Sequence, residues 1–234
     1  MPTPPRGMNV KNAHKNAHIF AIKDCALITI ATGRKAINLA ELRENLQAVG
    51  GDSIYHHFWG GLLAPRFDER EFHNDFAGWA RHSLREPELA ERLAAVNPAE
   101  GQDMEAIRQE ILDVIDDRLD ESEMSRWMPA ARQFEFLRSQ LVIFDTHRRM
   151  EKPADLAKQI PKMSTSSIFY HFIDARSRIQ EPVDDFRFWL SGFGAEHDTL
   201  CAQLAAVDPF FSSLSQIRQE LAELFTTYFK RGAA

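Results

Sequence analysis

Cysteine is scarce in this chain of 234 residues, which contains only Cys25 and Cys201. The two do not have the C-x-x-C spacing of a redox or zinc motif, and two cysteines are too few for the disulfide framework of a small secreted protein. We therefore expect both to be free thiols in a reducing compartment. The sequence predicts a cytoplasmic protein.

Long apolar runs and an excess of basic charge are also absent. No run approaches the roughly 20 apolar residues of a membrane-spanning helix, so we predict no membrane association. The stretch 1–17 lacks the apolar core of a secretory signal and is interpreted as a flexible N-terminal tail. With 28 basic and 34 acidic residues the net charge is −6, which makes a nucleic-acid partner unfavourable.

The common catalytic motifs are missing as well. The sequence has no G-x-S-x-G elbow, no G-x-x-x-x-G-K-[ST] phosphate loop and no G-x-G-x-x-G dinucleotide fingerprint. These absences argue against nucleophilic hydrolases, P-loop enzymes and dinucleotide-dependent enzymes. We predict no cofactor and favour a role other than catalysis.

What the sequence does contain is internal similarity. "DSIYHHF" at 52–58 and "SSIFYHF" at 166–172 share a serine at positions that differ by 167 − 53 = 114. Further matches follow in the same order, with "NDFAGW" (74–79) facing "DDFRFW" (184–189) and "LAAVNP" (93–98) facing "LAAVDP" (204–209). Ordered matches of this kind predict a tandem duplication.

Within each half, a short segment of alternating apolar residues precedes several segments with helical periodicity. The sequence therefore predicts a mainly α fold, made of two units of about five helices in a pseudo-two-fold arrangement. Each unit would open with a short β-strand or hairpin. We place the first helical repeat at 18–122, a connector at 123–130 and the second repeat at 131–234.

Each half places a histidine and an acidic or amide side chain on apolar helix faces. Residues three and four apart share a helix face, so the histidine of SIxxHF and the aspartate of DFxxW both point inward with a tryptophan. Two interpretations remain open: a buried polar pair that locks two helices together, or the lining of a ligand pocket. The candidate residues are His57, Asp75, Asn74 and Trp79 in the first half, and His171, Asp185, Asp184 and Trp189 in the second.

A metal site is an alternative, because imidazole and carboxylate groups suit zinc, iron or manganese. The first half offers His56, His57, His73 and Asp75, and we place the alternative site at His57, His73 and Asp75. In the second half, His171 followed by His197 and Asp198 resembles the spacing of HD-type phosphohydrolases, which implies a metal-dependent hydrolase. Asp198 also fits a helix N-cap, and the ligands do not recur together in both halves.

One segment resembles a DNA-binding motif. "LAKQIPKMSTSSIFYHF", at 156–172, is similar to the helix-turn-helix of TetR-type repressors, which implies a DNA-binding regulator as a further alternative. A protein that binds duplex DNA needs basic side chains that cluster on one face. Residues 18–62 instead carry four basic and four acidic side chains.

A broader resemblance covers 20–230. The order ATG, SIYxHF, NDFAxW and then SSIFYHFIDAR and DDFxxWL resembles a bacterial domain-of-unknown-function family with a duplicated SIYxHF and NDFAxW layout. That resemblance implies no established activity. The sequence thus favours a non-catalytic interaction or regulatory module that binds a protein or small ligand, with a homo-oligomer as an open possibility.

Overall fold

The computed structural model describes residues 19–63, 71–98, 103–178, 183–210 and 212–231. The predicted flexible tail at 1–17 lies outside these residues. Among the described helices, none is both long enough and apolar enough to cross a bilayer.

Two long strands pair to form one antiparallel sheet, which we call the ribbon. Strand β1 spans Phe20–Ala36 and strand β2 spans Phe134–Met150, each 17 residues long. The register runs from Phe20↔Met150 to Ala36↔Phe134, with irregularities that interrupt the ladder near each end. Because the strands come from opposite halves of the chain, neither half forms the sheet alone.

The helices of the first half surround one end of the ribbon and form what we call the first helical group. Side-chain caps start several of them: Asn38, Asn74, Asp103 and Ser122 each accept a backbone N–H from the first turn, as N-cap residues do. The group consists of α1 (Leu39–Ala48), α2 (Gly51–Trp59), α3 (Asp75–Trp79), α4 (Pro87–Ala94), α5 (Met104–Glu121) and α6 (Glu123–Trp127).

The helices of the second half surround the other end of the ribbon and form the second helical group. Ser164 and Asp184 cap two of them in the same manner. The group consists of α7 (Leu156–Gln159), α8 (Thr165–Ile168), α9 (Ala175–Arg178), α10 (Asp185–Ser191), α11 (Asp198–Ala205) and α12 (Leu214–Arg231), and a π-helical segment, Phe169–Asp174, joins α8 to α9.

A continuous apolar core runs through both groups and includes the ends of the ribbon. At one end, Phe134 stacks on Phe76 with ring centroids 5.2 Å apart; at the other, Phe20 stacks on Phe186 at 5.4 Å. The two helical groups also touch directly, because the ring of Phe210 lies 5.8 Å from that of Trp59. The ribbon is therefore an integral part of the core.

The prediction of a mainly α fold is wrong. The fold is mixed α/β, with the two-stranded antiparallel ribbon built into its core. The alternating apolar residues indicated strands in both halves, but they did not reveal the length of the strands or that each pairs with the other. The two halves share one sheet, and the structure does not show a duplicated unit or a pair of five-helix repeats.

Candidate functional site

The first candidate pair lies where α2 and α3 meet the ribbon. His57 is buried on α2, and Asp75 is the first residue of α3. The imidazole Nδ1 of His57 is 3.0 Å from Oδ2 of Asp75, whose side chain keeps 38% of its surface exposed. The structure thus brings together the histidine and the aspartate that the apolar stripes placed on facing helices.

The other ring nitrogen of His57 binds the ribbon. The peptide N–H of Leu137 in β2 donates to Nε2 of His57 at 3.2 Å, and the hydroxyl of Ser53 donates to the carbonyl oxygen of Leu137 at 2.7 Å. Ser53 and His57 are four residues apart and so share one face of α2. Together they bind both outward-facing peptide groups of one residue on the strand edge. We call this arrangement a Ser–His clamp.

The clamp determines the state of the imidazole. A nitrogen that accepts an N–H carries no proton itself, so Nε2 of His57 is unprotonated and the ring proton lies on Nδ1. From Nδ1 the proton is donated to the carboxylate of Asp75. His57 is therefore held as the neutral Nδ1–H tautomer by one partner on each side.

A second Ser–His clamp holds the other strand. The N–H of Lys23 in β1 donates to Nε2 of His171 at 2.9 Å, and Ser167 donates its hydroxyl to the carbonyl oxygen of Lys23 at 2.8 Å. His171 Nδ1 lies 2.7 Å from Oδ2 of Asp185. The bonds match those of the first clamp, and the same tautomer follows from them.

The surroundings of the second clamp are richer in charge. Arg178 donates to Asp185 at 3.0 Å and to Asp174 at 2.7 Å, and its guanidinium lies 3.9 Å above the ring of Tyr170. Tyr55, from α2, donates its hydroxyl to Asp174 at 2.9 Å. Burial raises the pKa of Asp174, and burial together with that carboxylate raises the pKa of Tyr55 well above its usual range. This network links the two helical groups.

The first clamp has a histidine neighbour instead. His56 Nδ1 lies 2.7 Å from the hydroxyl oxygen of Ser139 in β2. His56, His57 and Asp75 form a group whose potential metal-ligand atoms all lie within 4.8 Å of one another. This group lies within the four first-half residues that the sequence offers as ligands, but His56 takes the place of His73 in the predicted set.

The clamp conflicts with a metal ion at this group. Nε2 of His57 already accepts the Leu137 N–H. A metal on Nδ1 would move the ring proton to Nε2, where it would face that N–H donor. Metal-bound imidazoles instead direct their second nitrogen, as a donor, at a carboxylate, carbonyl or water. Binding through His57 would therefore break the hydrogen bond to the strand.

The remaining metal candidates lie apart from the pairs. The ring of His73 packs 4.9 Å from that of Phe210. In the second half, His197 Nδ1 lies 3.2 Å from the hydroxyl oxygen of Tyr228. Within the part of the chain that the structure describes, His171, His197 and Asp198 do not form a cluster of ligand atoms, and Asp198 begins α11. The spacing that resembles HD-type hydrolases thus does not place these side chains together.

Two of the other candidates are helix caps. Asn74 accepts the N–H of Ala77 and donates to the carbonyl of Leu93. Asp184 accepts the backbone N–H and the Nε–H of Arg187, and its complete burial raises its pKa. Both side chains therefore stabilise helix starts and do not contact the histidines through these bonds.

The two tryptophans differ in their hydrogen bonds. Trp79 Nε1 donates to the carbonyl of Arg132 at 2.6 Å, whereas Trp189 Nε1 is buried with no hydrogen-bond acceptor in the described part of the chain. Phe20 packs against Trp189 with ring centroids 5.3 Å apart. Both indoles pack against phenylalanines at the ends of the ribbon, because Trp79 also lies 5.7 Å from Phe134 between ring centroids.

Cys25, which follows the clamped part of β1, is not suited to nucleophilic chemistry. Its thiol is buried and lies 3.3 Å from the carbonyl oxygen of Ser166. Burial, assisted by the carboxylates of Asp174 and Asp24, raises its pKa to about 12. A thiol must ionise to attack an electrophile, so Cys25 stays protonated and unreactive at neutral pH.

The segment that resembles a repressor helix is turned inward. Tyr170, His171 and Phe172 are all buried, and the segment changes from α-helix to π-helix at Phe169. A recognition helix must present its side chains to the base edges in a DNA groove. This face of the segment instead packs on the core and on β1.

The sequence interpretation missed the partner of each histidine on the ribbon, and it missed the serines. The signal for Ser53 and Ser167 was present, because each serine stands four residues before its histidine in both quoted blocks. The peptide groups of Leu137 and Lys23 carry no signal of their own, because any residue offers an N–H and a carbonyl. The role of Arg178 was missed since nothing in the first half corresponds to it among the matched blocks.

Comparisons with known proteins agree with the described fold and leave the chemistry open. The solved structure of OrfY from Thermoproteus tenax is similar, with a TM-score of 0.78 and 24% sequence identity over 89% of this chain and 94% of that chain. At that identity the similarity concerns the fold alone. No curated protein matches the chain. A family model described as a family of unknown function (DUF5752) matches residues 17–226, and the chain belongs to that family.

Proposed function

We propose that this protein is a non-catalytic interaction module, and that it binds a protein partner through one face of the ribbon. The proposal has two parts. The polar side chains that could take part in catalysis are already hydrogen-bonded within the protein. An apolar surface on the sheet is left uncovered. The second observation carries the proposal.

The argument against catalysis comes from the clamps. A general base needs a free nitrogen within reach of a substrate proton. In both His57 and His171, one nitrogen accepts a strand N–H and the other faces a carboxylate. Each imidazole would have to release the ribbon or its aspartate before it could act on a substrate, so both are better suited to holding strands.

The uncovered surface is the outer face of the ribbon. Alternate residues of a strand point to the same side, and directly opposed residues share a face. The pairing of Ala26 with Val142 therefore places five apolar side chains on one face. These apolar residues are Ala26, Ile28, Ile30, Val142 and Phe144. Gln140, opposite Ile28, lies among them, and Asp24 and Arg138 lie at the two ends of the same face. Ile28 is 48% exposed and Phe144 is 50% exposed.

The opposite face of the ribbon is partly covered. Cys25 belongs to the buried core, and Leu27 and Leu141 pack against it. Ile143, which pairs with Cys25 on this face, is 47% exposed. Together with the two clamps, this packing holds the ribbon from behind and from its edges. The outer face is thus presented on a fixed support, as a binding surface requires. Isolated exposed apolar residues are ordinary, but a contiguous strip on a supported sheet is typical of an interaction surface.

Position-specific photocrosslinking tests the proposal. A benzophenone amino acid is placed at Phe144, on the outer face, and in a matched variant at Phe188, which is 60% exposed on α10. Both variants are irradiated in cells and the adducts are identified by mass spectrometry. We expect a defined protein adduct from position 144 that is absent from position 188 and is lost when Ile28→Glu is added. Equal adducts from both positions, or none from position 144, would contradict the proposal.

A further inference from the structure

Part of the β2 edge carries peptide groups that point away from the ribbon. In an antiparallel pair, alternate residues direct their N–H and carbonyl groups to the partner strand, and the residues between direct theirs outward. The clamps identify the outward residues, because the peptide groups of Leu137 and Lys23 bind helix side chains. The register has no irregularity between these two positions. Leu141, Ile143 and Asp145 of β2 therefore also face outward, and we call these three residues the free edge.

The free edge has no hydrogen-bond partner within the described ranges of the chain. The first helical group reaches β2 as far as Ser139, whose hydroxyl oxygen lies 2.7 Å from Nδ1 of His56. Beyond that point, no described side chain or loop binds the outward peptide groups of the free edge. Natural sheets protect such edges with proline, lysine or a bulge, and QLVIFD at 140–145 has none of these. Its one charged side chain, Asp145, is paired with Arg149.

The side chains beside the free edge distinguish it from the corresponding edge of β1. Ile143 and Phe144 are consecutive, so they lie on opposite faces of the sheet, and they are 47% and 50% exposed. On β1, Ile28 is 48% exposed on one face only, and its neighbour Thr29 is polar. A strand added at β2 would therefore bury apolar surface on both faces of the sheet.

We propose that the free edge binds an extended segment of another protein, which joins the ribbon as a third strand. A polypeptide in the extended conformation matches this edge, because its own N–H and carbonyl groups repeat every two residues, at about 6.8 Å. The segment should carry apolar side chains at consecutive positions, since it lies beside Ile143 on one face and Phe144 on the other. This inference rests on the proposed function and states how the partner binds.

A proline in the free edge tests the inference in the photocrosslinking experiment with benzophenone at position 144. Ile143→Pro removes an outward N–H and places a ring where the third strand would lie, but it leaves the bonds between β1 and β2 intact. We expect the yield of the adduct to fall by about tenfold or more, because a backbone hydrogen bond is lost and the ring obstructs the strand. Circular dichroism checks that the variant remains folded.

Two matched variants isolate the backbone of the free edge. Ile143→Val keeps the N–H and an apolar side chain, and Thr29→Pro makes the same backbone change on the outward edge of β1. Both should retain the adduct. An adduct that survives Ile143→Pro, one that Thr29→Pro removes equally, or one formed with another copy of this chain would overturn the inference and leave the proposed function standing. No adduct at position 144 would reject the function itself.

Amide hydrogen exchange of the unmodified full chain tests the free edge without a partner. By NMR, the amides of Leu141 and Ile143 should exchange faster than those of Val142 and Phe144, which bind β1, by about tenfold or more. A synthetic peptide with the sequence of the crosslinked segment should slow Leu141 and Ile143 selectively. Slow exchange at both residues in the chain alone would overturn the inference, because their peptide groups would already be bonded. Unchanged exchange on addition of the peptide would overturn it as well.

Discussion

The two Ser–His clamps make the same bonds to the ribbon but have different neighbours. Around His57, the aspartate is 38% exposed and the adjacent ring is another histidine, His56. Around His171, the aspartate is 18% exposed and binds Arg178 as well. What is common to both is the serine, the histidine, the aspartate and one clamped strand residue. The comparison indicates that holding the strand requires only these groups, and that the outer polar groups serve other contacts.

The comparison also explains why two polar pairs lie in an apolar core. An unpaired strand edge carries peptide groups that cost free energy when they are buried without partners. A histidine and a serine on one helix face offer one acceptor and one donor at the spacing of a single strand residue. The aspartate then fixes which ring nitrogen is free to accept. Each clamp thus satisfies a sheet edge with side chains where a further strand would otherwise be needed.

The largest effect is expected when one clamp loses its strand altogether. A fragment of residues 18–122 keeps Ser53, His57 and Asp75 but lacks Leu137 and the rest of β2. We expect no cooperative unfolding transition in urea, monitored by circular dichroism, because β1 and the core of the first helical group would lack their partner strand. Addition of residues 131–234 in trans should restore a transition. A fragment that unfolds cooperatively by itself would contradict the shared role of the ribbon.

Removal of the imidazoles should have the next largest effect. His57→Ala should lower the free energy of unfolding by about 2–4 kcal/mol, since it leaves a cavity and a strand N–H without an acceptor. His171→Ala should cost at least as much, because its bonds to Lys23 and Asp185 are shorter, at 2.9 and 2.7 Å. Urea denaturation of each variant measures the loss. The control is His82→Ala, because the side chain of His82 is 62% exposed. A loss of unfolding free energy in His82→Ala as large as that in His57→Ala would refute the ranking.

Arg178 tests whether the difference between the clamps matters for stability. Arg178→Met should lower the free energy of unfolding by about 1–3 kcal/mol, because it leaves the buried carboxylate of Asp174 without its cation. Arg92→Met removes an exposed ion pair to Glu121 and should change stability much less than Arg178→Met does, because solvent screens exposed ion pairs. Chemical denaturation of both variants gives the comparison. Equal effects would mean that the network around the second clamp adds nothing to its stability.

The serines should give the smallest effect, and an equal one in both clamps. Ser53→Ala and Ser167→Ala each remove one hydroxyl that donates to a strand carbonyl, at 2.7 and 2.8 Å. Each should lower the free energy of unfolding by about 1 kcal/mol. Ser191→Ala, which removes an exposed hydroxyl bonded to the carbonyl of Phe188, is the control and should be nearly neutral. Clearly unequal values for Ser53 and Ser167 would show that the clamps are not equivalent at the strand.

Local patterns in the sequence account for much of the site and less of the fold. Helical spacing placed His57 and Asp75 on facing stripes, and the structure puts these side chains 3.0 Å apart. The ribbon could not be predicted in this way, because Leu27 pairs with Leu141 and no local pattern specifies a partner so distant in the chain. For the same reason the binding of Lys23 by His171 was unexpected. The face that we propose as a binding surface follows only from the strand pairing, which decides which apolar residues share a face.

The tautomers of His57 and His171 provide the most direct test of the clamps. Nitrogen-15 NMR of the full chain at neutral pH distinguishes a protonated from an unprotonated ring nitrogen, and coupling across hydrogen bonds identifies the donor. Both rings should carry the proton on Nδ1, with Nε2 coupled to the amide nitrogen of Leu137 in one case and Lys23 in the other. A proton on Nε2 of either ring, or no coupling to these amides, would contradict the account that the histidines hold the ribbon.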